Sequence, residues 1–479
     1  MQATAEPMRF EGLGAGLTES QAREIFRQGE ESVVFALLHQ AKLLAESQGK
    51  GVPSPNTVSP STPSGMRAVY TKPPSPSRQK RPGRENGHPG VRRSRPERVD
   101  QRREHRLECC PHCQGKLHRS HQTRTRYTED IPENIQPVVT EHVIHRDWCP
   151  RCRKHVEPVV PDALPGSTLG LRVLVLSAWL HYGLGHTLSQ IVEVFGHHLQ
   201  LVLTPGGLVQ MWQRLAELLR SWYEQIQAEA LRAAVLHGDE TGWRVNGKTH
   251  WLWCFSTVDL TFYMIDRCRG SPALLKFFQE EFGGTLVSDF WGAYNAVACS
   301  KRQKCLVHLL RDLEHVETYR VVNPDWPAFA KKLRRLIGDA IRLWKRDAVP
   351  PAEYASRRAR LDRRLQELIE TPWNHPNARR LIKRLRRHQN ELFTFLDQPG
   401  VPFDNNHAER AIRPAVIIRK NSQSNRSPRG AETQAILMSV YRTLKQRGLP
   451  PIETLTHAMK TYLSTGQLMP LPPRAATIG

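Results

Sequence analysis

The chain has 479 residues and carries 69 Lys and Arg against 46 Asp and Glu, a formal net charge of +23. This length is enough for two to four domains, and so strong a positive charge favours a polyanionic partner, usually nucleic acid. Because no run approaches 18 apolar residues and the N-terminus has no basic segment followed by an apolar one, we expect neither a membrane span nor a secretory signal.

The first hundred residues divide into a helix and a polar segment. Apolar residues recur at helical spacing over residues 17–46 and predict one amphipathic helix with Thr18 as its N-cap. That helix could pair with a second copy as a coiled coil or pack on its own chain. Residues 49–82 are rich in Ser, Pro, Thr and Gly and predict a disordered linker. Residues 67–106 contain thirteen Lys or Arg against four acids, which favours a DNA-contacting arm over a solvated tail.

Two CPxC motifs follow, Cys110-Pro-His-Cys113 and Cys149-Pro-Arg-Cys152. Each is a tight turn that points two thiolates at one point, and together they predict a tetrahedral zinc site. Strands over residues 124–127 and 138–145 are expected to bring the two turns together. Four thiolates leave no open position for a substrate, so the zinc is expected to be structural, with redox activity as the alternative.

A group of helices is predicted next. A mostly apolar helix covers residues 169–184, and a pair of helices covers residues 187–196 and 204–219. Thr204 is a natural N-cap, and Gly196 is expected to end the preceding helix. The pair is typical of a helix-turn-helix, with two helices of a bundle as the alternative, and the neighbouring zinc motifs and basic arm favour DNA binding.

Strand patterns begin at residue 234. A short apolar run ends at Asp239, and two further strands over residues 250–257 and 260–267 complete a β-meander with a turn at Asn246-Gly247.

A helix over residues 272–282 precedes a strand over residues 284–288, which ends at Asp289. Carboxylates at the ends of adjacent strands can share a divalent cation, although a single acid beside a strand is more often a cap or a turn residue.

Residues 304–313 predict a strand that runs into a helix and carries Cys305 and His308 as a CxxH element. A zinc pair is possible there, but no second pair stands nearby, so a packing and hydrogen-bonding role is favoured. Residues 319–397 are rich in Arg and Leu and predict an all-α insertion interrupted by prolines. Its basic faces could be solvated surface or a wall that faces DNA.

A third acid lies on a predicted helix beyond this insertion. Asp404 or Asn405 can cap a helix that begins at Asn406 and carries Glu409, and Pro414 is expected to end or kink it. Four basic residues follow the acid and suit phosphate binding: Arg410, Arg413, Arg419 and Lys420. A surface helix with i,i+3 and i,i+4 ion pairs is the alternative. Helices over residues 429–447 and 451–464 complete the chain.

The order of the three acids, Asp239 after a first strand, Asp289 after a later one and Glu409 on a helix beyond an insertion, is typical of an RNase H-like domain. The predicted fold is multidomain α+β: an N-terminal helix, a zinc-binding module and a helix-turn-helix, then an RNase H-like α/β catalytic domain with an all-α insertion and C-terminal helices. The expected segments are 1–48 for the helix, 49–107 for the basic linker, 108–160 for the zinc module, 165–225 for the helix-turn-helix, 230–318 and 401–448 for the catalytic core, 319–400 for the insertion and 449–479 for the last helix and tail.

Several motifs carry a resemblance to a known family. The segments LHGDETGW, SDFWGAY, CLVHLLRDL and DNNHAERAIRPAVIIRKN resemble signature segments of the DDE transposases of bacterial insertion sequence family 66. The string GRENGHPG, the CPxC pairs and the helix pair extend that resemblance over nearly the whole chain. After RKN the chain departs from the family pattern with SQSNRSPRGAE.

The resemblance implies that Asp239, Asp289 and Glu409 form a metal-binding triad and that Cys305 and His308 match the CxxH element of the family. It implies two Mg²⁺ or Mn²⁺ ions, cleavage of DNA and transfer of the freed 3′-end to target DNA. Expected partners are the element ends and the target DNA, further copies of this chain on DNA and accessory proteins of the same element, in the bacterial cytoplasm at the nucleoid. A nuclease without strand transfer and a zinc and helix-turn-helix regulator are the alternatives.

Overall fold

A computed structural model describes residue 26 and residues 95–118, 124–317, 325–346 and 349–475. The chain separates into two compact units, Met1–Pro60 and Ser61–Gly479. In the first unit the description covers Phe26, a helical residue with an exposed side chain. The other residues of the predicted N-terminal helix and the predicted Ser- and Pro-rich linker lie outside the described residues.

The cysteine-rich segment contains one small hairpin. Strands β1 (Asp147–Cys149) and β2 (Lys154–Val156) are antiparallel and flank the second CPxC turn. The expected strands over residues 124–127 and 138–145 do not form, so that prediction is wrong. Val138 and Val139 are 92% and 91% exposed. Because these side chains cover no apolar surface, burial does not offset the entropy lost when a strand forms.

Between residues 164 and 234 the structure shows four helices ahead of the central sheet: α1 (Leu171–Ala178), α2 (Leu188–Leu199), α3 (Pro205–Leu218) and α4 (Arg220–Leu231). A π-helical turn, Trp179–Gly183, extends α1. Thr187 forms a capping box with Gln190 at the start of α2, and Thr204 caps α3. Helix α2 does not end at Gly196 as expected, because its left-handed C-cap is Gln200, with φ of 51°.

A mixed sheet forms the centre of the molecule. Its strands are β3 (Val235–Val245), β4 (Lys248–Ser256), β5 (Thr261–Asp266), β6 (Phe282–Ser288) and β7 (Cys299–Lys304). Their spatial order is β5-β4-β3-β6-β7. Strands β3, β4 and β5 form an antiparallel meander, whereas β6 is parallel to β3 and β7 is parallel to β6. Helix α5 (Ser271–Phe277) lies between β5 and β6 in sequence.

Helices follow the sheet in sequence: α6 (Leu306–Glu317), α7 (Asp325–Trp344), α8 (Pro351–Glu370), α9 (Pro376–Arg387) and α10 (Thr394–Asp397). Their apolar faces form a hydrophobic cluster of their own, which includes Trp326, Phe329 and Leu381. The predicted all-α character of residues 319–397 is therefore observed in the described part of that segment, where short non-helical links separate the helices.

The last helices are α11 (Asn406–Ser422), α12 (Pro428–Gln446) and α13 (Pro451–Thr465). Helix α11 starts where predicted and continues past Pro414 to Ser422, so the proline does not end it. Helix α12 crosses β5, where Ser439 Oγ accepts a hydrogen bond from the Tyr263 N–H at 2.9 Å. None of the helices in the described ranges has the length and apolar character required to cross a lipid bilayer.

Candidate acidic and metal-binding site

The first two predicted acids lie on neighbouring parallel strands. Asp239 is not at the end of its strand as expected, because β3 continues to pair with β4, where Cys254 is its partner. Its parallel pairing with β6 does end nearby, at His237 opposite Val287. Continuing that register by two residues sets Asp239 level with Asp289, and adjacent strands are about 4.8 Å apart. The two carboxylates therefore arise at one edge of the β3–β6 pair.

Asp239 is a buried carboxylate with one satisfied oxygen. Its Oδ1 accepts a hydrogen bond from the Glu240 N–H at 2.9 Å. Its Oδ2 is buried and has no hydrogen-bond partner among the described residues. Burial raises the pKa of Asp239 well above its usual value, and the charges of Glu240, Asp289 and Glu409 raise it further. A cation at Oδ2 would give that oxygen a partner and would reduce the repulsion between the carboxylates.

Asp289 follows β6 and begins a tight turn. Its Oδ1 accepts a hydrogen bond from the Trp291 N–H at 2.8 Å. The buried Lys304 ammonium on β7 donates to the Asp289 carbonyl and to Ser288 Oγ, each at 3.1 Å. These bonds fix the backbone from which the Asp289 carboxylate projects, and the carboxylate itself is half-buried.

Glu409 lies in the first turn of α11 and is 2% exposed. Its two carboxylate oxygens lie 3.4 and 3.5 Å from the guanidinium nitrogens of Arg311 on α6. A buried carboxylate needs such a partner, because leaving water costs a charged group several kcal/mol. Arg311 follows His308 by three residues in the segment CLVHLLRDL. This helical spacing predicts that the two side chains share a face of the helix.

Asn405 joins the start of α11 to β3. Its Nδ2 donates to the Gly238 carbonyl at 2.8 Å, and its Oδ1 lies 3.1 Å from Nδ1 of His237. The helix-capping hydrogen bond comes instead from the neighbouring Asp404, whose Oδ1 accepts the Asn406 N–H at 3.1 Å. The sequence offered Asn405 only as a cap, whereas in the fold it holds the helix of Glu409 beside the strand of Asp239.

The three acids form a loose group. Among the residues that the structure describes, the set of three metal-binding side chains with all donor atoms within 4.8 Å of one another is Cys305, His308 and Glu409. Asp239, Asp289 and Glu409 are therefore spaced more widely, although close enough for two of them to raise the pKa of the first. Their oxygen donors and the unpartnered Oδ2 of Asp239 fit a hard divalent cation such as Mg²⁺.

A fourth carboxylate, Glu240, points to the other face of β3. Its Oε1 is 3.1 Å from the Arg269 guanidinium, and its Oε2 accepts a hydrogen bond from the Tyr294 hydroxyl at 2.9 Å. The Arg269 guanidinium lies over the rings of Trp251 and Trp291, 4.3 and 4.2 Å from their centroids. Burial, with a smaller contribution from the charge of Asp289, raises the pKa of Glu240 to about 7. Beyond strand alternation, no sequence pattern indicates this cluster.

Cys305 and His308 flank the start of α6. The Cys305 side chain is fully buried, and its Sγ accepts the Asn405 N–H at 3.2 Å. Burial raises the pKa of the Cys305 thiol to about 12 and lowers the pKa of His308. Nδ1 of His308 is buried without a hydrogen-bond partner in the described part of the chain.

The residues predicted to contact DNA lie along α11: Arg410, Arg413, Arg419 and Lys420. All are exposed except Arg419, which is half-buried. Arg419 donates to Thr241 Oγ1 at 2.9 Å and to the Gly242 carbonyl, so it also joins the helix to β3. It lines a cleft of about 880 Å³ with Arg244, Arg426 and Trp251, and the described residues that line this cleft include no acid.

The four motif cysteines are arranged as two pairs. The N–H groups of His112 and Cys113 lower the pKa of Cys110, and the N–H of Cys152, 3.4 Å from Sγ of Cys149, lowers the pKa of that thiol. The two pairs do not come together into one four-sulfur cluster in the described ranges. Backbone donors that favour thiolates in two short turns nonetheless fit the chemistry of a zinc site.

Comparison with known proteins gives two family matches. The family model "Transposase IS66 family" matches residues 166–433, and the family model "zinc-finger binding domain of transposase IS66" matches residues 108–153. The first match includes all three predicted acids, and the second includes all four motif cysteines.

Two curated relatives come from Sinorhizobium fredii, and both are described as uncharacterized proteins. One, y4jD, is 23% identical over 398 residues, which cover 74% of this chain and 75% of the relative. The other, y4qI, is 26% identical over 243 residues, or 45% of this chain and 44% of the relative.

Proposed function

The chain belongs to the IS66 family of transposases, and from this membership we propose that it catalyses metal-dependent cleavage and strand transfer of DNA for the movement of a bacterial insertion sequence. The observation that carries the proposal is the convergence of Asp239, Asp289 and Glu409, from two parallel strands and one helix, into a group whose charges interact.

The topology supports an RNase H-like catalytic domain. An antiparallel meander is followed by two parallel strands, with the first strand of the meander at the centre of the sheet. In that plan the acids lie on the central strand, after its parallel neighbour and on a later helix. The positions of Asp239, Asp289 and Glu409 agree with it.

The proposed reaction is an in-line displacement at phosphorus. Water attacks a phosphodiester at the element end, the bond from phosphorus to the 3′-oxygen breaks, and a free 3′-hydroxyl results. That hydroxyl then attacks a target phosphodiester, so one bond is made for each bond broken. Two Mg²⁺ or Mn²⁺ ions, when bound, would supply the charge that activates the nucleophile and stabilises the leaving oxygen.

The side chains of the protein would bind the metal ions and hold the three acids in position. Asp239, Asp289 and Glu409 would hold the ions, and Lys304 and Asn405 would fix the backbone of two of these acids. Arg311 would hold the Glu409 carboxylate in place.

The surrounding basic groups would hold the DNA. The exposed Arg410, Arg413 and Lys420 would contact phosphates beside the acids, and the cleft at Arg419 would take an adjacent part of the backbone. The zinc module and the α2–α3 pair would bind the element ends as separate DNA-binding elements. We also propose that further copies of the chain and accessory proteins of the element complete the active assembly.

The test is a joining reaction. Purified protein is incubated with a labelled duplex that carries the ends of its element, a supercoiled target and Mg²⁺ or Mn²⁺, beside Asp239→Ala and Glu409→Ala. We expect joined products with the wild-type chain and a loss of at least about a thousandfold in each variant, equivalent to about 4 kcal/mol of transition-state stabilisation. Asp404→Ala is the matched control, since the hydrogen bonds of that carboxylate are to Asn406 at the start of the helix.

The alternatives give different products. Cleavage without joining, abolished by the same substitutions, would identify a nuclease. Specific binding to the element ends with no metal-dependent change in the DNA would contradict the enzymatic proposal and favour a zinc and helix-turn-helix regulator.

A further inference from the structure

A second set of metal donors lies next to the acidic group. Cys305 immediately precedes α6, His308 is one turn further along, and Glu409 projects from α11. One donor atom from each, a sulfur, a nitrogen and an oxygen, lies within 4.8 Å of the other two. The CxxH spacing alone offered two donors, and the fold supplies the third from a helix about a hundred residues away.

Two features of this set point to a ligand. Nδ1 of His308 is buried and has no hydrogen-bond partner among the described residues, an arrangement that costs free energy unless some group satisfies it. The Cys305 sulfur is fully buried and accepts the backbone N–H groups of Asn405, at 3.2 Å, and of His308. Such donors favour the thiolate, which is the form of cysteine that binds a metal, so both Cys305 and His308 can serve as ligands.

The donor chemistry differs from that of the three carboxylates. Thiolate and imidazole ligands favour Zn²⁺, whereas Mg²⁺ prefers oxygen ligands. Three protein ligands with an open fourth position are also typical of zinc sites that exchange their last ligand. We propose that Cys305, His308 and Glu409 bind a Zn²⁺ ion at a site separate from the four-cysteine module.

Arg311 competes for this site. Its guanidinium lies 3.4 and 3.5 Å from the two oxygens of Glu409, so a zinc ion at the same carboxylate must weaken or displace that ion pair. Removal of the Arg311 charge should therefore tighten zinc binding, whereas a purely structural cluster would gain nothing from it.

Sharing Glu409 has a consequence that rests on the proposed function. A carboxylate that binds zinc beside Cys305 is drawn away from Asp239 and Asp289, so zinc at this site inhibits the magnesium-dependent reaction.

The test of binding uses Co²⁺ as a spectroscopic substitute for zinc and needs neither DNA nor activity. The full-length protein, purified with zinc and freed of excess metal, is titrated with Co²⁺ while the sulfur-to-cobalt charge-transfer band is recorded. We expect the intensity of the wild-type band to include the contribution of one cobalt-bound thiolate, and Cys305→Ser should remove that contribution. Cys299→Ser changes a partly buried cysteine outside the cluster and should keep the full band.

Two further variants test the other ligands. His308→Ala removes a direct ligand and should weaken the cobalt affinity by at least about a hundredfold, the largest loss typical of groups that only support a ligand. Arg311→Gln should strengthen it by about tenfold, because a repelling charge is removed. This gain is measurable even if Cys305→Ser does not fold.

The proposal is overturned if the band is the same in Cys305→Ser as in the wild type, or if Arg311→Gln leaves the affinity unchanged. The second measurement is zinc inhibition of magnesium-dependent cleavage, which Cys305→Ser should relieve by at least about tenfold. Cobalt binding without zinc inhibition would leave the site standing and contradict the proposed sharing of Glu409 with the catalytic metals.

Discussion

Asn405 shows how one side chain sets the geometry of the acidic group. It is 1% exposed and bridges the start of α11 to the Gly238 carbonyl and His237. We expect Asn405→Ala to lower the free energy of unfolding by about 2 kcal/mol, because it leaves a buried carbonyl without its donor. The same change should lower DNA cleavage, since Glu409 loses its fixed distance from Asp239.

Asp404→Ala is the control for that prediction, since it removes a helix cap one residue earlier. It should cost about 1 kcal/mol and leave cleavage largely intact. Chemical denaturation and a cleavage assay on both variants measure the two effects. Equal losses of stability and cleavage in the two variants would contradict a positioning role for Asn405.

The buried Glu240 carboxyl should make the stability of the protein depend on pH. Burial raises its folded pKa from 4.5 to about 7, so between these values the folded state binds more protons than the unfolded state. Its contribution to stability must therefore fall as the pH rises through that window. We expect the stability of the wild type relative to Glu240→Gln to decrease between pH 5 and pH 8, measured by urea unfolding at a series of pH values.

Glu217 supplies a control of opposite sign. The hydrogen bond from Arg220 lowers the pKa of Glu217, so its contribution is present above the unfolded pKa and is lost as the pH falls below it. Glu217→Gln should change the pH profile only on the acid side. If the difference in the free energy of unfolding between wild type and Glu240→Gln does not vary with pH, the pKa of Glu240 is not raised in the folded state.

At the scale of elements, the link between α11 and α12 stores backbone strain. Gln423 and Ser424 both have positive φ, 55° and 77°, a region that costs a side chain about 1–2 kcal/mol. Ser424→Gly should therefore raise the free energy of unfolding by about 0.5–1 kcal/mol, after the added flexibility of the unfolded chain is subtracted. Thermal and urea unfolding measure this change.

Ser427→Ala is the comparison for that link. Ser427 caps α12 through its bond with the Gly430 N–H at 3.0 Å, and its loss should cost about 1 kcal/mol. If Ser424→Gly lowers the free energy of unfolding, the contacts of the Ser424 side chain stabilise the protein by more than its positive φ costs.

We expect the order of the zinc module to depend on its metal rather than on a hydrophobic core. Among the described residues between 95 and 163 none is buried, so apolar packing contributes little to their order. We expect a zinc chelator to make residues 108–153 sensitive to proteases while the main thermal transition of the chain stays within a few degrees. Cys110→Ser should reproduce this, and Cys109→Ser should not, because the neighbouring Cys109 is not a predicted ligand. A large drop of the main transition on chelation would contradict this independence.

The sequence indicated local structure better than long-range geometry. The turn at Asn246-Gly247, the cap at Thr204 and the helix start at Asn406 depend on neighbouring residues, and all are found where predicted. The predicted strands within residues 124–145 are absent because strand formation depends on a surface to cover, which the local pattern does not reveal.

The candidate site divides in the same way. The three acids could be selected by their order in the chain and by resemblance, but their partners could not. Arg311 and Asn405 act through contacts with residues 98 and 167 positions away, and no local pattern specifies such pairs. From the sequence, Cys305 and His308 suit a packing role, because the third donor, Glu409, becomes their neighbour only in the fold.

At the scale of the whole molecule, charge dominates the expected interaction with DNA. The net charge is +23, and residues 67–106 alone contribute thirteen Lys or Arg against four acids. Each phosphate neutralised by such a residue adds about 0.9 to the magnitude of the slope of log affinity against log salt. The basic segment and the exposed residues of α11 should therefore contribute separately to this slope.

We predict that deletion of residues 67–106 lowers the magnitude of the salt slope by several units, whereas Arg413→Gln with Lys420→Gln lowers it by about 2, one for each phosphate contact. Fluorescence anisotropy of a labelled duplex without divalent metal, over a range of salt concentrations, gives both values. Because the deletion leaves the acidic site intact, metal-dependent cleavage of DNA supplied at saturating concentration and low salt should persist in it. An unchanged slope after the deletion would mean that the basic segment does not contact DNA, and that the sheet domain alone provides the electrostatic attraction.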